Sequence, residues 1–258
     1  MGGVIYWEDL SAPQFRGLSG PVVAVLPLGA TEQHGPHLAV SVDSTLVEAV
    51  LARVQVPQGV TALVLPSLRI TRSAEHDRFP GTLSLSGDTL LAVLRDIAAS
   101  VKRAGVSRLC LFNGHGGNTA LLETVIREMR ITHDLIAVQC SWFGFAQTDG
   151  LYDADKLAHD FHAGDTETSA MLAASAQHVD MAQAEDFRPA TTTWESIWIG
   201  LTGQAARPGW IIDDLNAQGA CGDAASATAE KGEALLASAA RNFAAFLAEF
   251  AAFDHRAF

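Results

Sequence analysis

The chain has 258 residues, 48% of them hydrophobic, and carries 17 basic against 29 acidic side chains for a formal net charge of −12. That length suits one α/β domain over residues 1–258 with a sizeable core. The acidic balance excludes nucleic acid and anionic membrane as expected partners, since both need a basic face.

Cys110, Cys140 and Cys221 have no close pairing, and the first two lie in apolar, strand-like runs. They read as buried free thiols in a reducing compartment. The first residues show no basic region followed by an apolar stretch, and no apolar run approaches the roughly 18 residues of a membrane span. The expectation is a soluble cytoplasmic protein.

Residues 7–18 read as a short polar helix or turn. Residues 21–28 (PVVAVLPL) are a continuous apolar run, the pattern of a strand buried on both faces. Residues 44–54 place Leu46, Val47, Val50, Leu51 and Val54 at helical spacing, with Asp43 or Ser44 as the expected cap. A second strand is predicted over 61–65. A polar loop over 67–84 follows, containing Ser73-Ala-Glu75-His76 and Phe79-Pro80-Gly81-Thr82. A helix from Ser86 or Gly87 to about Arg103 precedes a third strand over 107–112, which runs into Asn113-Gly-His115-Gly-Gly-Asn118. A helix over 119–130 and a fourth strand over 135–142 complete the alternation. Strand and helix in turn predict a three-layer α/β/α fold with a mostly parallel central sheet. Residues 144–161 read as a loop with short helical potential. A helix opens at His162-Ala-Gly-Asp165-Thr-Glu167 and runs to about Ala176. Residues 186–209 read as a lid or subunit contact, and 224–250 as a closing alanine-rich helix.

In an open parallel sheet, the loops at the carboxyl ends of the strands converge on one crevice. Glu32, His34, His37 and Asp43 follow the first predicted strand, His115 the third, and His162, Asp165 and Glu167 the fourth. That much imidazole and carboxylate in one place suits divalent cations, with zinc, manganese or iron(II) fitting the ligand types. About five protein ligands exceed what one open catalytic ion needs. They suit two ions about 3.5–4 Å apart, bridged by a carboxylate, with Asp43 the best bridge. Blander roles compete: a first-turn acid for Glu32, a helix cap for Asp43, a solvated helix residue for Glu167, a surface imidazole for His162. His37 is as readily a hydrogen-bond partner of a ligand carboxylate as a ligand. A phosphate-cradling glycine loop around His115 lacks the expected Lys and spacing. His133, His159, His178 and His255 stand outside any cluster. Trp194, Trp198 and Trp210 read as packing or interface residues.

These clusters resemble the creatininase family of metal-dependent amidohydrolases. The resemblance rests on Gly29-Ala-Thr-Glu-Gln-His-Gly-Pro-His37, Asp43, Phe79-Pro-Gly-Thr82, Asn113-Gly-His-Gly-Gly-Asn118, His162-Ala-Gly164 with Glu167-Thr-Ser169, and Ala229-Glu-Lys-Gly232. It implies a creatininase-like three-layer fold, commonly assembled into hexamers, and a small-molecule substrate. It also implies one ion on Glu32, Asp43 and His115, and another on His34, Asp43 and a second carboxylate. In creatinine-hydrolysing members that carboxylate is a Glu two residues after the glycine-loop histidine, and here the position is Gly117. Glu167 is the expected substitute. Those members also carry tryptophans ahead of the His-Ala-Gly motif, and this chain has none between Trp142 and Trp194. Both departures weigh against creatinine itself. The expected reaction is hydrolysis of an amide-type C–N bond in a cyclic amide, formamide or peptide by a metal-bound hydroxide. His162 would shuttle the proton, and Ser73 with the Gly116 and Gly117 amides would contact substrate. The competing expectations are a metal-assisted isomerase or C–C hydrolase acting on a cyclic ketone, and a non-catalytic metal-binding subunit.

Overall fold

The computed structural model describes residues 2–201 and 204–255. Five strands, β1 (Ile5–Tyr6), β2 (Val22–Leu28), β3 (Thr61–Val64), β4 (Arg108–Asn113) and β5 (Ile136–Ser141), form one sheet in the order β1-β3-β2-β4-β5. Every pairing in it is parallel. The alternation along β2 explains the layering. Val23 and Val25 enter one apolar core, and Ala24, Leu26 and Leu28 enter the other. A strand with period-two side chains that are apolar on both faces needs cover on both sides.

The cover comes from helices. There are eight among the described residues: α1 (Ala12–Arg16), α2 (Val42–Arg53), α3 (Gly87–Arg103), α4 (Thr119–His133), α5 (Ala154–Leu157), α6 (Asp165–Ser175), α7 (Ile212–Leu215) and α8 (Ala229–Ala252). Helices α3 and α4 bury Leu90, Leu94, Leu122 and Val125 on one face. Helices α2, α6 and α8 bury Leu46, Met171, Leu236 and Phe243 on the other. The three-layer α/β/α expectation holds.

Several boundaries differ from the sequence expectation for physical reasons. Strand β1 went unpredicted, because its two exposed residues are too short for any periodicity to register. Helix α2 begins earlier than expected, with Ser41 at the N-cap position, so neither Asp43 nor Ser44 caps it. Asp43 lies in the first turn and turns its carboxylate into the crevice. Helix α4 runs on to His133 and stops where Asp134 takes a left-handed φ of 53°. The closing helix starts at Ala229, where the Thr228 hydroxyl accepts from the Lys231 amide, and Ala224–Ser226 is a separate turn.

Helix α8 also corrects the membrane expectation. It is long and apolar enough to cross a bilayer by length and composition. Here it is a core helix, burying Leu235, Phe243, Leu247 and Phe250. The expected lid segment carries β6 (Asp186–Phe187), paired antiparallel with β7 (Gly222–Asp223). Residues 202 and 203 of that segment lie outside the described residues.

Candidate metal centre

The acid and imidazole side chains meet at the carboxyl edge of the sheet, as the strand rule predicts. Glu32, His34 and Asp43 come from the β2 loop and the first turn of α2, and His115 follows β4. His162 and Glu167 sit at the start of α6. Two glycines make this convergence possible. A Cβ at Gly29 would lie 2.5 Å from the Ser44 Cα, and one at Gly114 would lie 2.7 Å from the Asp43 carbonyl oxygen. Only bare backbone lets the β2 loop, the β4 loop and the start of α2 press together and set Asp43 between two histidines.

The geometry divides the cluster in two. Asp43 Oδ1 lies 3.4 Å from His34 Nε2, and Asp43 Oδ2 lies 3.5 Å from His115 Nδ1. Glu32 Oε1 lies 3.2 Å from His115 Nδ1, and Glu167 Oε2 lies 3.9 Å from His34 Nε2. Ligand atoms of Glu32, Asp43 and His115 fall within 4.8 Å of one another, as do those of His34, His162 and Glu167, and of Glu32, His76 and His162. All these side chains are buried.

Hydrogen bonds outside the cluster aim the rings inward. His34 Nδ1–H donates to the Glu32 carbonyl at 3.0 Å, and His115 Nε2–H donates to the Arg72 carbonyl at 2.8 Å. Each turns its other nitrogen, free of any backbone partner, toward carboxylates, the orientation metal-bound histidines adopt. Glu32 Oε2, His34 Nε2 and Asp43 Oδ2 are buried with no hydrogen-bond partner. Unsatisfied buried acceptors converging on one point fit a divalent cation, which would satisfy them together.

Electrostatics agrees. Burial pulls His34 and His115 down, but the carboxylates around them outweigh it and lift both to about 10. Burial alone would raise Glu32, yet the His115, His76 and His162 rings hold it well below the usual carboxylate range. Burial lifts Glu167 to about 7 against the pull of His34. Burial, with the His34 and His76 rings beside it, pushes His162 far down, so it is neutral.

The remaining expectations resolve unevenly. Ser73 Oγ sits 3.5 Å from His115 Nε2, Gly116 is exposed at the rim, and Gly117 is half-buried. His37 does not bond a ligand carboxylate: its Nε2 lies 2.9 Å from Thr168 Oγ1 and its ring stacks on Phe187. His37 is thus neither in a ligand triad nor bonded to a ligand carboxylate, the two roles expected for it. The loop turns it outward to α6 instead.

Three residues that sequence reasoning left without a role stand in the cluster. His76 Nε2 lies 3.6 Å from Glu32 Oε1, Glu75 Oε1 lies 3.6 Å from His115 Nε2, and Gln33 contacts both His76 and His162. The strand rule itself points to His76, since the 67–84 loop leaves the carboxyl end of β3.

Residues 8–247 match the family model described as creatinine amidohydrolase. The creatinine amidohydrolase of Pseudomonas putida is 33% identical over 250 residues, covering 91% of this chain and 90% of that one. A mycofactocin precursor peptide peptidase of Mycolicibacterium smegmatis is 32% identical over 246 residues, covering 91% and 88%. A solved manganese creatininase superposes with a TM-score of 0.73 at 30% identity, covering 95% of this chain and 98% of its own.

Proposed function

The chain belongs to the creatininase family, and from that premise we propose that it hydrolyses an amide-type C–N bond, in a cyclic amide, formamide or peptide, at a site for two divalent cations. The observation that carries this reading is the Asp43 carboxylate, whose two oxygens face two different imidazole nitrogens. Glu32, Asp43 and His115 would hold one ion, and His34, Asp43 and Glu167 the other; zinc, manganese and iron(II) all suit these ligands.

Bound cations supply Lewis-acid polarisation of a carbonyl and a water of lowered pKa. The protein's own residues do the rest. His162 donates Nε2–H to the Gln33 carbonyl at 2.9 Å, so its bare Nδ1 faces Glu32 Oε1 at 3.7 Å. A neutral ring with its lone pair in the site can take a proton from the attacking water and return it to the leaving nitrogen. Ser73 and the Gly116 and Gly117 amides line the approach and would hold the substrate. A creatinine amidohydrolase and a mycofactocin precursor peptide peptidase among its relatives support C–N hydrolysis as the reaction class. Three free thiols suit a reducing compartment, and we place the protein in the cytoplasm.

The test is metal content with a screen of lactams, formamides and short peptides. Wild type is expected to bind divalent metal and release product by adding water. Glu32→Ala and His115→Ala are expected to lose metal and activity together. Either variant retaining full metal and full hydrolase activity would overturn the assignment.

A further inference from the structure

We propose that Gln33 is a positioning residue that sets two facing imidazoles in opposite tautomers, leaving His162 bare at Nδ1 and making His76 an N–H donor at Nε2. His76 then serves the site as a hydrogen-bond donor and not as a metal ligand, although its ring nitrogen reaches the same carboxylate as the ligands do.

Two hydrogen bonds fix the orientation of the Gln33 side-chain amide. Gly35 N–H donates to Gln33 Oε1 at 2.9 Å, and Gln33 Nε2 donates to the Gly219 carbonyl at 2.8 Å. Turning the amide over would set oxygen against oxygen and N–H against N–H, so this orientation is the one the surroundings allow. Gln33 Nε2 also lies 2.7 Å from His76 Nδ1. Its first hydrogen goes to Gly219, so its second goes to His76 Nδ1, which must be a bare acceptor. The ring proton therefore sits on Nε2, 3.6 Å from Glu32 Oε1.

The same residue acts on His162 through its backbone. His162 Nε2 lies 2.9 Å from the Gln33 carbonyl oxygen and 3.3 Å from the Gln33 side-chain nitrogen. Both side-chain hydrogens are committed at shorter range, so His162 Nε2 carries a proton and gives it to the carbonyl. The His76 and His162 rings stand 4.4 Å apart at 34°. They form an acceptor and a donor side by side above Glu32. His34 Nδ1 and His115 Nε2 are instead tied to the Glu32 and Arg72 carbonyls.

The use of that donor rests on the hydrolase reading above: it would hydrogen-bond a substrate or leaving-group atom lying over Glu32. The tautomer itself does not depend on that reading, and the experiment separates the two. Ring-labelled histidine is incorporated into the metal-free protein, and ring 15N shifts are recorded near pH 7.5 for wild type, Gln33→Glu and Gln33→Met. Wild-type His76 is expected to show a protonated Nε2 and a bare Nδ1. Gln33→Glu presents only acceptors and is expected to reverse this, and Gln33→Met to leave a mixture of the two. A wild-type His76 protonated at Nδ1, or one tautomer unchanged in all three proteins, overturns the proposal. Zinc(II) is then added. In wild type it is expected to shift the His34 and His115 nitrogens and leave His76 Nε2 untouched. In Gln33→Glu, His76 Nε2 is expected to respond as a new ligand. Wild-type zinc binding through His76 Nε2 sinks the proposal. Zinc that moves none of the rings sinks the metal reading and leaves the tautomer assignment supported.

Discussion

Gly117 and Glu75 share one volume. A Cβ at residue 117 would run into Glu75 Oε1 and His115 Nε2, with the Arg72 carbonyl oxygen 3.0 Å away. The side chain that the resemblance expects at this position in creatinine-hydrolysing members is thus excluded by a carboxylate from a different loop, and burial raises the Glu75 pKa there. Gly117→Glu alone is expected to cost about 1–3 kcal/mol through overpacking and to lower metal content by displacing His115. Adding Glu75→Ala is expected to return part of that loss, with a favourable coupling of at least about 1 kcal/mol in urea denaturation. Strict additivity of the two changes would show that the side chains do not compete.

A second residue-scale consequence concerns pH. Asp160 accepts from the Thr166 amide at 2.9 Å and packs against Gly164 and Gly222. Burial, with Asp165 nearby, pushes its pKa from 3.8 to about 7 despite the Thr166 hydrogen bonds. A raised pKa means that the folded state prefers the protonated acid. The resulting stability is complete below about pH 4 and is lost as pH climbs through about 7, a swing of up to about 4 kcal/mol. Glu167 slopes the same way and Glu32 the opposite way, so the total is not diagnostic, but a difference is. Asp160→Asn keeps an acceptor for Thr166 and removes the titration. Its melting temperature, taken metal-free, is expected to fall less than wild type's between pH 4 and 7. Parallel curves for the two proteins would rule Asp160 out as a source of the slope.

At the scale of elements, the site depends on how closely α6 can approach α8. A Cβ at Gly232 would collide with the Ser169 carbonyl oxygen and stand 2.9 Å from the Ala170 amide nitrogen. Both obstacles are backbone, so neither can rotate away. Lys231 adds a tether beside it, bonding the Asp165 carboxylate and the Ser226 carbonyl. Helix α6 carries Glu167, whose Oε2 accepts from the Ala163 amide at 2.6 Å. Gly232→Ala must therefore push α6 outward. It is expected to destabilise by about 1–3 kcal/mol and to weaken binding of the ion assigned to His34 and Glu167 more than the ion on Glu32 and His115. Titration with zinc, following the two sites separately, checks the order of loss; equal weakening would mean that α6 moves as one with the rest of the site.

This scale also shows what could be read from the chain alone. Apolar β-branched runs such as 22–28 announce themselves, because burial on both faces leaves no polar alternation to confuse the reading. Glu32, His34 and His115 were legible because each lies just past such a strand among glycines, and Asp43 because it stands where the next helix opens. His76 sat in plain view after β3, but a single imidazole in a polar loop gives no spacing signal. Only the fold sets it 4.4 Å from His162. Gln33 was invisible as a functional residue, since its role lies in the contacts of one amide with Gly35, Gly219 and His76, three partners far apart in sequence. The start of α2 was misplaced because Asp43 has the look of a cap, while its carboxylate is directed to imidazoles instead of backbone amides.

Across the whole molecule, exposed large apolar side chains are scattered, Ile131 at 82% among them, but four fall together in one short stretch. Ile197 is 83% exposed and Trp198 70%, with Trp194 and Ile199 exposed beside them. The rest of the acidic surface, at −12 overall, keeps copies apart by repulsion, so a local apolar cluster of this kind is where association would concentrate. The resemblance implies a hexamer, and we propose that residues 194–199 form one of its subunit contacts. Light scattering at neutral pH is expected to give a mass of several chains. Ile197→Ser with Trp198→Ser is expected to shift it toward a single chain while leaving the proposed metal ligands, all on other segments, able to bind zinc. Hexamers that survive the double change intact would move the contact elsewhere. Smaller species that also lost zinc would mean that the neighbouring copy supports the site, a dependence that the ligand set, drawn wholly from one chain's β2, β4 and α6 loops, gives no reason to expect.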